Sequence, residues 1–294
     1  MFRNVLVGVD GRQGGRDAIA LARQLAAPDA RLTLAYIYGP FLGRGAAGAS
    51  DLERARGYQL LDRERALAPV VAQLVVRGEV PAGVGLHEVA EEEKSDLLVV
   101  GSTRHALLGR VLMGDDCRAA LDGAPCAVAV APRGYEHAPH SLQRVGVGYD
   151  GSRESEHALV IARDLAALHG AEVRAYRVVS LQEVRDEKPV PADWPAAIDK
   201  LIERHADELA QLEGVYGVVT YGGPREELAQ FGKALDLLIT GSRGYGPLGR
   251  LFHGSVSRYL LAHAACPLLV LPRAADSELE PEQTKTRERM GATA

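Results

Sequence analysis

The sequence predicts two tandem doubly wound α/β domains, each built on a parallel sheet. Three observations predict it. At 294 residues the chain is long for one domain and comfortable for two. The second half repeats the first at a separation of 140 positions. Asp10-Gly11 returns as Asp150-Gly151 and Gly101-Ser102 as Gly241-Ser242, while Gly109, Arg110, Gly114, Cys126 and Pro132 return as Gly249, Arg250, Gly254, Cys266 and Pro272. Within each half, short apolar runs alternate with helical patterns, the signature of parallel strands joined by right-handed crossovers.

The second half shows the order most clearly. Residues 144–149 form a short apolar run, read as a strand. Residues 153–169 place Ala158, Leu159, Ala162, Leu165 and Ala166 on one helical face. Gly170 ends that helix as a cap. Residues 172–179 are the next strand. An amphipathic helix is expected over 194–212, after the loop holding Pro189 and Pro191. A third strand over 215–221 and a short helix over 224–231 follow. Residues 234–240 form a continuous apolar run, the pattern of a strand buried on both faces. A glycine-rich loop, a helix over 255–264 and a last strand over 267–271 complete the half. The first half repeats this order. The domains are expected at 1–132 and 143–273, with a linker around 133–143 and a polar, disordered tail at 274–294.

The hydrophobic fraction of 47% and charged fraction of 25% are those of an ordinary soluble protein. A net charge of −5 makes no electrostatic case for nucleic acid or an anionic membrane. Any bound anion must be gripped locally. The three cysteines, Cys117, Cys126 and Cys266, form no CxxC pair, which fits a reducing cytoplasm. No apolar run has the length of a signal-peptide core or a membrane span. The expected location is therefore cytoplasmic, without a nucleic-acid or membrane partner.

The second loop carries the chemistry. It reads Gly241-Ser-Arg243-Gly244, nine residues, then Gly254-Ser255-Val256-Ser257. Its first glycine closes a strand and its last opens a helix. In an open α/β sheet that crevice is where ligands bind. Glycine lets the backbone approach a phosphate, and the helix N-terminus supplies unpaired N–H groups. Ser255 and Ser257 add hydroxyl donors.

This spacing resembles the ATP-binding signature of the universal stress protein family. Asp150-Gly151-Ser152 after the first strand resembles that family's first strand and turn, and Pro-Leu-Leu-Val-Leu-Pro its last strand. The resemblance covers nearly the whole chain, twice, up to about Arg273. It implies strand order 3-2-1-4-5, an adenine-nucleotide alpha hydrolase-like fold, and ATP in a cleft, alone or with Mg²⁺. It further implies Asp150 near adenine or ribose and the backbone of Val178 and Val179 against adenine. Gly241, Ser242, Arg243, Gly244, Gly254, Ser255, Val256 and Ser257 would surround ribose and phosphates. The family pairs domains through their last strands, so residues 127–131 and 268–271 are expected to pair within this chain as a pseudo-dimer. Further homodimerisation stays open.

The first half departs from the signature. Arg104 stands at the place of Gly244, and Asp115-Asp116 begin where Ser255 stands. A carboxylate at a helix N-terminus takes the N–H groups a phosphate needs and repels its charge. Asp10, Gly101, Ser102 and Gly114 remain, so the first cleft is expected to bind ATP weakly or not at all.

The bland readings are weighed beside these. Asp150 is also a candidate N-cap for the helix after it. Arg243 and Arg250 could contact phosphate or be ordinary loop arginines, and His253 reads as a surface residue. His137 and His140 form an H-x-x-H without the further ligands that zinc needs. Cys126 and Cys266 read as buried small hydrophobes. No Walker lysine, HExxH or nucleophile elbow is present. The chain therefore reads as an ATP-binding sensor or regulatory module of the stress response rather than a catalyst. The alternatives are a slow Mg²⁺-dependent ATPase and a nucleotide-free dimerisation scaffold.

Overall fold

The computed structural model describes residues 1–39, 46–67, 72–78, 80–103, 106–111, 115–137, 141–187, 193–242 and 254–272, with the backbone alone at 46–49 and 115–117. The first half runs β1 (Phe2–Gly8), α1 (Gln13–Leu25), β2 (Ala26–Tyr38), α2 (Ala46–Arg65), β3 (Gln73–Gly78), α3 (Ala82–Glu92), β4 (Leu97–Gly101), α4 (Asp115–Leu121) and β5 (Ala127–Ala131). The second runs β6 (Arg144–Gly148), α5 (Arg153–His169), β7 (Glu172–Val179), α6 (Leu181–Asp186), α7 (Trp194–Ala210), β8 (Val215–Tyr221), α8 (Pro224–Phe231), β9 (Leu237–Gly241), α9 (Ser255–His263) and β10 (Leu268–Leu271). The tail at 274–294 lies outside the described residues.

Local chemistry explains several boundaries. The Ser152 side chain accepts from the Ser155 N–H and caps α5, with Glu154 and Glu156 in its first turn facing the positive end of the helix dipole. Gly170 ends α5 at φ 65°, ψ 33°, the left-handed cap the sequence predicts. Asp193 caps α7 at the Ala196 N–H, ahead of Pro195 in the first turn. The apolar run expected as a strand from 234 is shorter: Gly232–Ala234 is a 3-10 turn and β9 starts at Leu237.

All strands join one sheet in the order β3-β2-β1-β4-β5-β10-β9-β6-β7-β8. Each half therefore has the order 3-2-1-4-5, and its strand pairs are parallel. Among the described residues the one antiparallel pairing is β5 with β10, where Leu268, Leu269 and Val270 face Val130, Ala129 and Val128. Both strands are buried, so two edges that would invite foreign pairing cover each other. One apolar layer holds α1 and α5, with Ile19, Leu21, Leu159 and Leu165; the opposite layer holds α3, α4, α8 and α9.

Polar contacts add to this seam. The Met1 amine reaches Asp164 at 3.2 Å, and the His169 ring meets the Gln24 carbonyl at 2.8 Å. The linker is clamped rather than loose. Asp17, fully buried, accepts from Gly134 N at 2.8 Å, Glu136 N at 2.9 Å and the Gln13 amide at 3.1 Å.

The separation of 140 is not uniform through the fold. Gly8 pairs with Ala35, but Gly148 pairs with Tyr176, a shift to 141 on the second strand. Tyr36 then pairs with Val76 where Arg177 pairs with Val219, a shift to 143 on the third. Insertions and deletions in the crossovers cancel before β4 and β9. As a result Tyr38 stands where Val179 does, and Tyr36 where Arg177 does.

Candidate functional site

The two clefts open at the C-terminal ends of β1/β4 and β6/β9, where the crossovers change direction. Both begin with an aspartate and a glycine in the left-handed region, Gly11 at φ 73° and Gly151 at φ 75°. In both, an aspartate carboxylate accepts from the N–H two residues on: Asp10 from Arg12 at 3.0 Å, Asp150 from Ser152 at 2.9 Å. Such a turn reverses the chain at the strand end. The N-cap of α5 is Ser152, however, and not Asp150.

The turns differ in what covers them. Among the described residues, a Cβ on Gly151 would meet nothing within 4 Å. A Cβ on Gly11 would meet Leu60 Cδ1 of α2 at 2.5 Å. Helix α2 is one long element lying over the first turn, with Leu61 buried and Arg16 facing Glu64 at 3.5 Å. Tyr38 adds bulk at the end of β2: it is buried, and its hydroxyl meets Ser50 Oγ at 3.0 Å. In the second half the crossover is split into α6 and α7, and the corresponding Val179 turns into a small apolar cluster with Val184 and Leu201.

The far sides of the clefts differ as well. Helix α9 starts after Gly254, which has no side-chain cap bond, and its first turn carries exposed Ser255, half-buried Val256 and buried Ser257. Helix α4 starts at Asp115. The first-half loop is fastened down where it is described: Gly109 N donates to Arg133 O, Arg133 N to Arg110 O, and Val111 N to Ala264 O of the other half, all at 2.8–3.1 Å. Arg243, Gly244, Arg250 and His253, with Arg104, Gly114 and His140, lie outside the described residues, as do the side chains of Asp115, Asp116 and Cys117.

At the roots of the loops, Ser102 and Ser242 are buried, and their N–H groups donate to Ala131 O at 2.9 Å and Leu271 O at 3.0 Å. These serines tie each loop to the seam strand. Gly101 and Gly241 are packed against the first turn of α1 and α5, where a side chain would not fit. Val179 is buried and its carbonyl accepts from Gly222 N at 3.1 Å; Val178 is half-buried. The structure thus places Asp150, Gly151 and Val178 at the C-terminal ends of β6 and β7, Gly241 at the end of β9, and Gly254, Ser255 and Val256 at the start of α9, with Ser242 and Val179 buried in the wall beneath.

Behind that wall sits a charged cluster that the sequence reading missed. His205 of α7 is buried, with Nε2 at 2.7 Å from Glu183 Oε1 and Nδ1 at 2.7 Å from Glu208 Oε2. Arg177 Nη2 donates to the same Glu183 oxygen at 2.7 Å. These contacts pin α6 to β7 and α7. Burial alone would raise the Glu183 carboxyl, but the hydrogen bonds from His205 and Arg177 outweigh it and hold it below its ordinary value of 4.5. A depressed carboxyl stabilises the fold above its unfolded value and loses that contribution as pH falls through the folded one. Glu183→Gln is therefore expected to show a smaller loss of urea midpoint than the wild type on acidification from about pH 6 to about pH 3.5. An equal loss in both would show that the cluster does not govern acid stability. Tyr149 nearby is pushed up to about 12 by burial and its hydrogen bond to Glu156. Burial also pushes the Cys126 and Cys266 thiols up to about 12, so both are inert apolar packing.

Among the described residues no helix is long and apolar enough to cross a membrane. Comparison with known proteins places the architecture. A universal stress protein of Mycolicibacterium smegmatis is 28% identical over 285 residues, 91% of this chain and 96% of that protein. One of Mycobacterium tuberculosis is 29% identical over 198 residues, 64% of this chain and 68% of that protein. A universal stress protein structure from Archaeoglobus fulgidus shares the fold, with a TM-score of 0.66 at 16% identity over 92% of this chain and 98% of that one. The family model described as the universal stress protein family matches residues 1–132 and again 141–272. The chain belongs to the universal stress protein family and carries its domain twice in tandem.

Proposed function

We propose that this chain is an ATP-binding sensor or regulatory module of the stress response, with one competent nucleotide site per chain, in the C-terminal half. One observation carries the asymmetry: among the described residues nothing lies within 4 Å of a Cβ at Gly151, while Leu60 covers the same turn at Gly11. The rest of each cleft agrees with it. Helix α9 offers an uncapped first turn with two hydroxyls, the chemistry an anionic phosphate needs. Helix α4 begins with the sequence Asp115-Asp116, so a phosphate at the same end would meet like charge.

In this reading the carboxylate of Asp150 faces the nucleoside. The root of the loop at Gly241 approaches ribose, and the α9 N-terminus with Ser255 receives phosphate, with Arg243 and Gly244 completing the loop. The first half serves as a structural twin whose last strand completes the sheet. Two inert thiols and a modest negative charge suit a cytoplasmic protein.

Isothermal titration of the full chain with ATP tests this. The expected stoichiometry is one per chain. Ser255→Asp is expected to weaken binding by roughly tenfold or more, the scale of a like-charge contact near a surface. Asp115→Asn should leave the affinity unchanged. Two equivalent tight sites, or a Ser255→Asp variant that binds as the wild type does, would refute it.

A further inference from the structure

Strand β9 reads Leu-Leu-Ile-Thr-Gly, and its threonine is a polar residue in an otherwise apolar strand. Thr240 is only 4% exposed, and its Oγ1 is buried with no hydrogen-bond partner. A buried hydroxyl left unpaired is costly, and such groups in native proteins ask for a reason.

Packing is not that reason. The twin strand β4 has Val100 at this place, also 4% exposed. The surroundings match closely. A Cβ on Gly8 would meet Val100 Cγ1 at 3.5 Å and Leu86 Cδ1 at 3.4 Å; a Cβ on Gly148 would meet Thr240 Cγ2 at 3.4 Å and Leu228 Cδ1 at 3.2 Å. Valine, nearly the same shape, fills the position in the covered half. The hydroxyl is found in the open half.

Its place in the cleft is specific. Thr240 immediately precedes Gly241, and it neighbours Gly148, two residues before Asp150. It belongs to the layer of α8 and α9, where Val256 of the α9 first turn also packs. Thr240 thus stands on the strand side of the second cleft, next to the root of its loop at Gly241.

We propose that Thr240 is a ligand-contacting residue whose hydroxyl hydrogen-bonds the nucleoside portion of the bound nucleotide; the inference rests on the nucleotide reading of the second cleft. The substitution by valine in the first half is then a further loss of binding function in that twin.

The test is calorimetric titration of the full chain with ATP and, separately, with adenosine. Thr240→Val is expected to weaken both by the same factor, about five- to tenfold, the scale of one neutral hydrogen bond. Thr240→Ser, which keeps the hydroxyl, should stay within about twofold of the wild type. The ligand-free melting midpoint of Thr240→Val should be unchanged or higher, because the unpaired hydroxyl is gone. A wild type that binds both ligands and a Thr240→Val variant that binds them equally well would overturn the inference while sparing the nucleotide reading. Weakening confined to ATP would also overturn it, since the contact would then be to phosphate. A wild type that binds neither ligand removes both readings together.

Discussion

Gly101→Ala is expected to destabilise the protein by about 3 kcal/mol, the upper end of the usual cost of overpacking. A Cβ there would lie 2.0 Å from the carbonyl oxygen of Gly14, 2.5 Å from its carbonyl carbon and 2.7 Å from its Cα. All three are backbone atoms in the first turn of α1, so no rotamer change relieves the clash. The helix must shift, and with it the Asp10–Gly11 turn. The companion change Gly241→Ala meets Glu154 Cβ at 2.5 Å and its carbonyl carbon at 3.0 Å. It should cost somewhat less, about 2 kcal/mol, and should also weaken nucleotide binding because it displaces the α5 end of the open cleft. Gly151→Ala is the control: it has room, and its cost is the backbone penalty of about 1 kcal/mol at positive φ. Urea unfolding with unchanged slopes would read all three. A Gly101→Ala midpoint matching the wild type would show that the close approach of α1 to β4 is not a constraint.

Asp17→Ala should cost about 2 kcal/mol, through two half-buried backbone donors left without their acceptor. The lost carboxylate holds Gly134 N and Glu136 N and orders the 3-10 turn Tyr135–His137. That turn presses Tyr135 into the layer shared by α1 and α5. Asp17→Asn keeps one acceptor but turns an amide N–H toward the same donors, so it should fall between the wild type and alanine. Protease cleavage near 134–137 should accelerate in the same order. Stability loss without faster cleavage would mean that Asp17 acts within α1 and not on the linker.

Much of the fold was legible because its signals are local or repeated. The apolar face of 153–169, the cap at Gly170 and the alternation of strand and helix depend on neighbours in sequence, and the structure reproduces them. The seam between β5 and β10 was anticipated from the family resemblance, whose domains pair through their last strands, and the structure has it. The aspartate turn was legible too, but Asp150 and Ser152 compete for one cap. Which oxygen meets the Ser155 N–H depends on backbone angles that the sequence pattern does not contain. The separation of 140 hid the drift to 143 on the third strand, because gains and losses in the crossovers cancel before β9.

The candidate site divides along the same line. Glycine spacing, the aspartate after the first strand and the exchange of Ser255 for Asp115 are properties of single positions and can be read directly. They determine that two related loops exist and that one carries Asp115 where the other carries Ser255. The covering of Gly11 by Leu60, some fifty residues apart in sequence, the burial of Tyr38 and the clasp on His205 are products of how the crossovers pack. The Thr240 hydroxyl stands between the two. Its contrast with Val100 is visible in the sequence, but that it is buried and unpaired is decided by tertiary structure. Sequence by itself determined the duplication, the parallel α/β class and the intact loop, because periodicity and glycine geometry act over a few residues. Only the tertiary structure decided that Leu60 covers the turn at Gly11, because that depends on side chains brought together from distant parts of the chain.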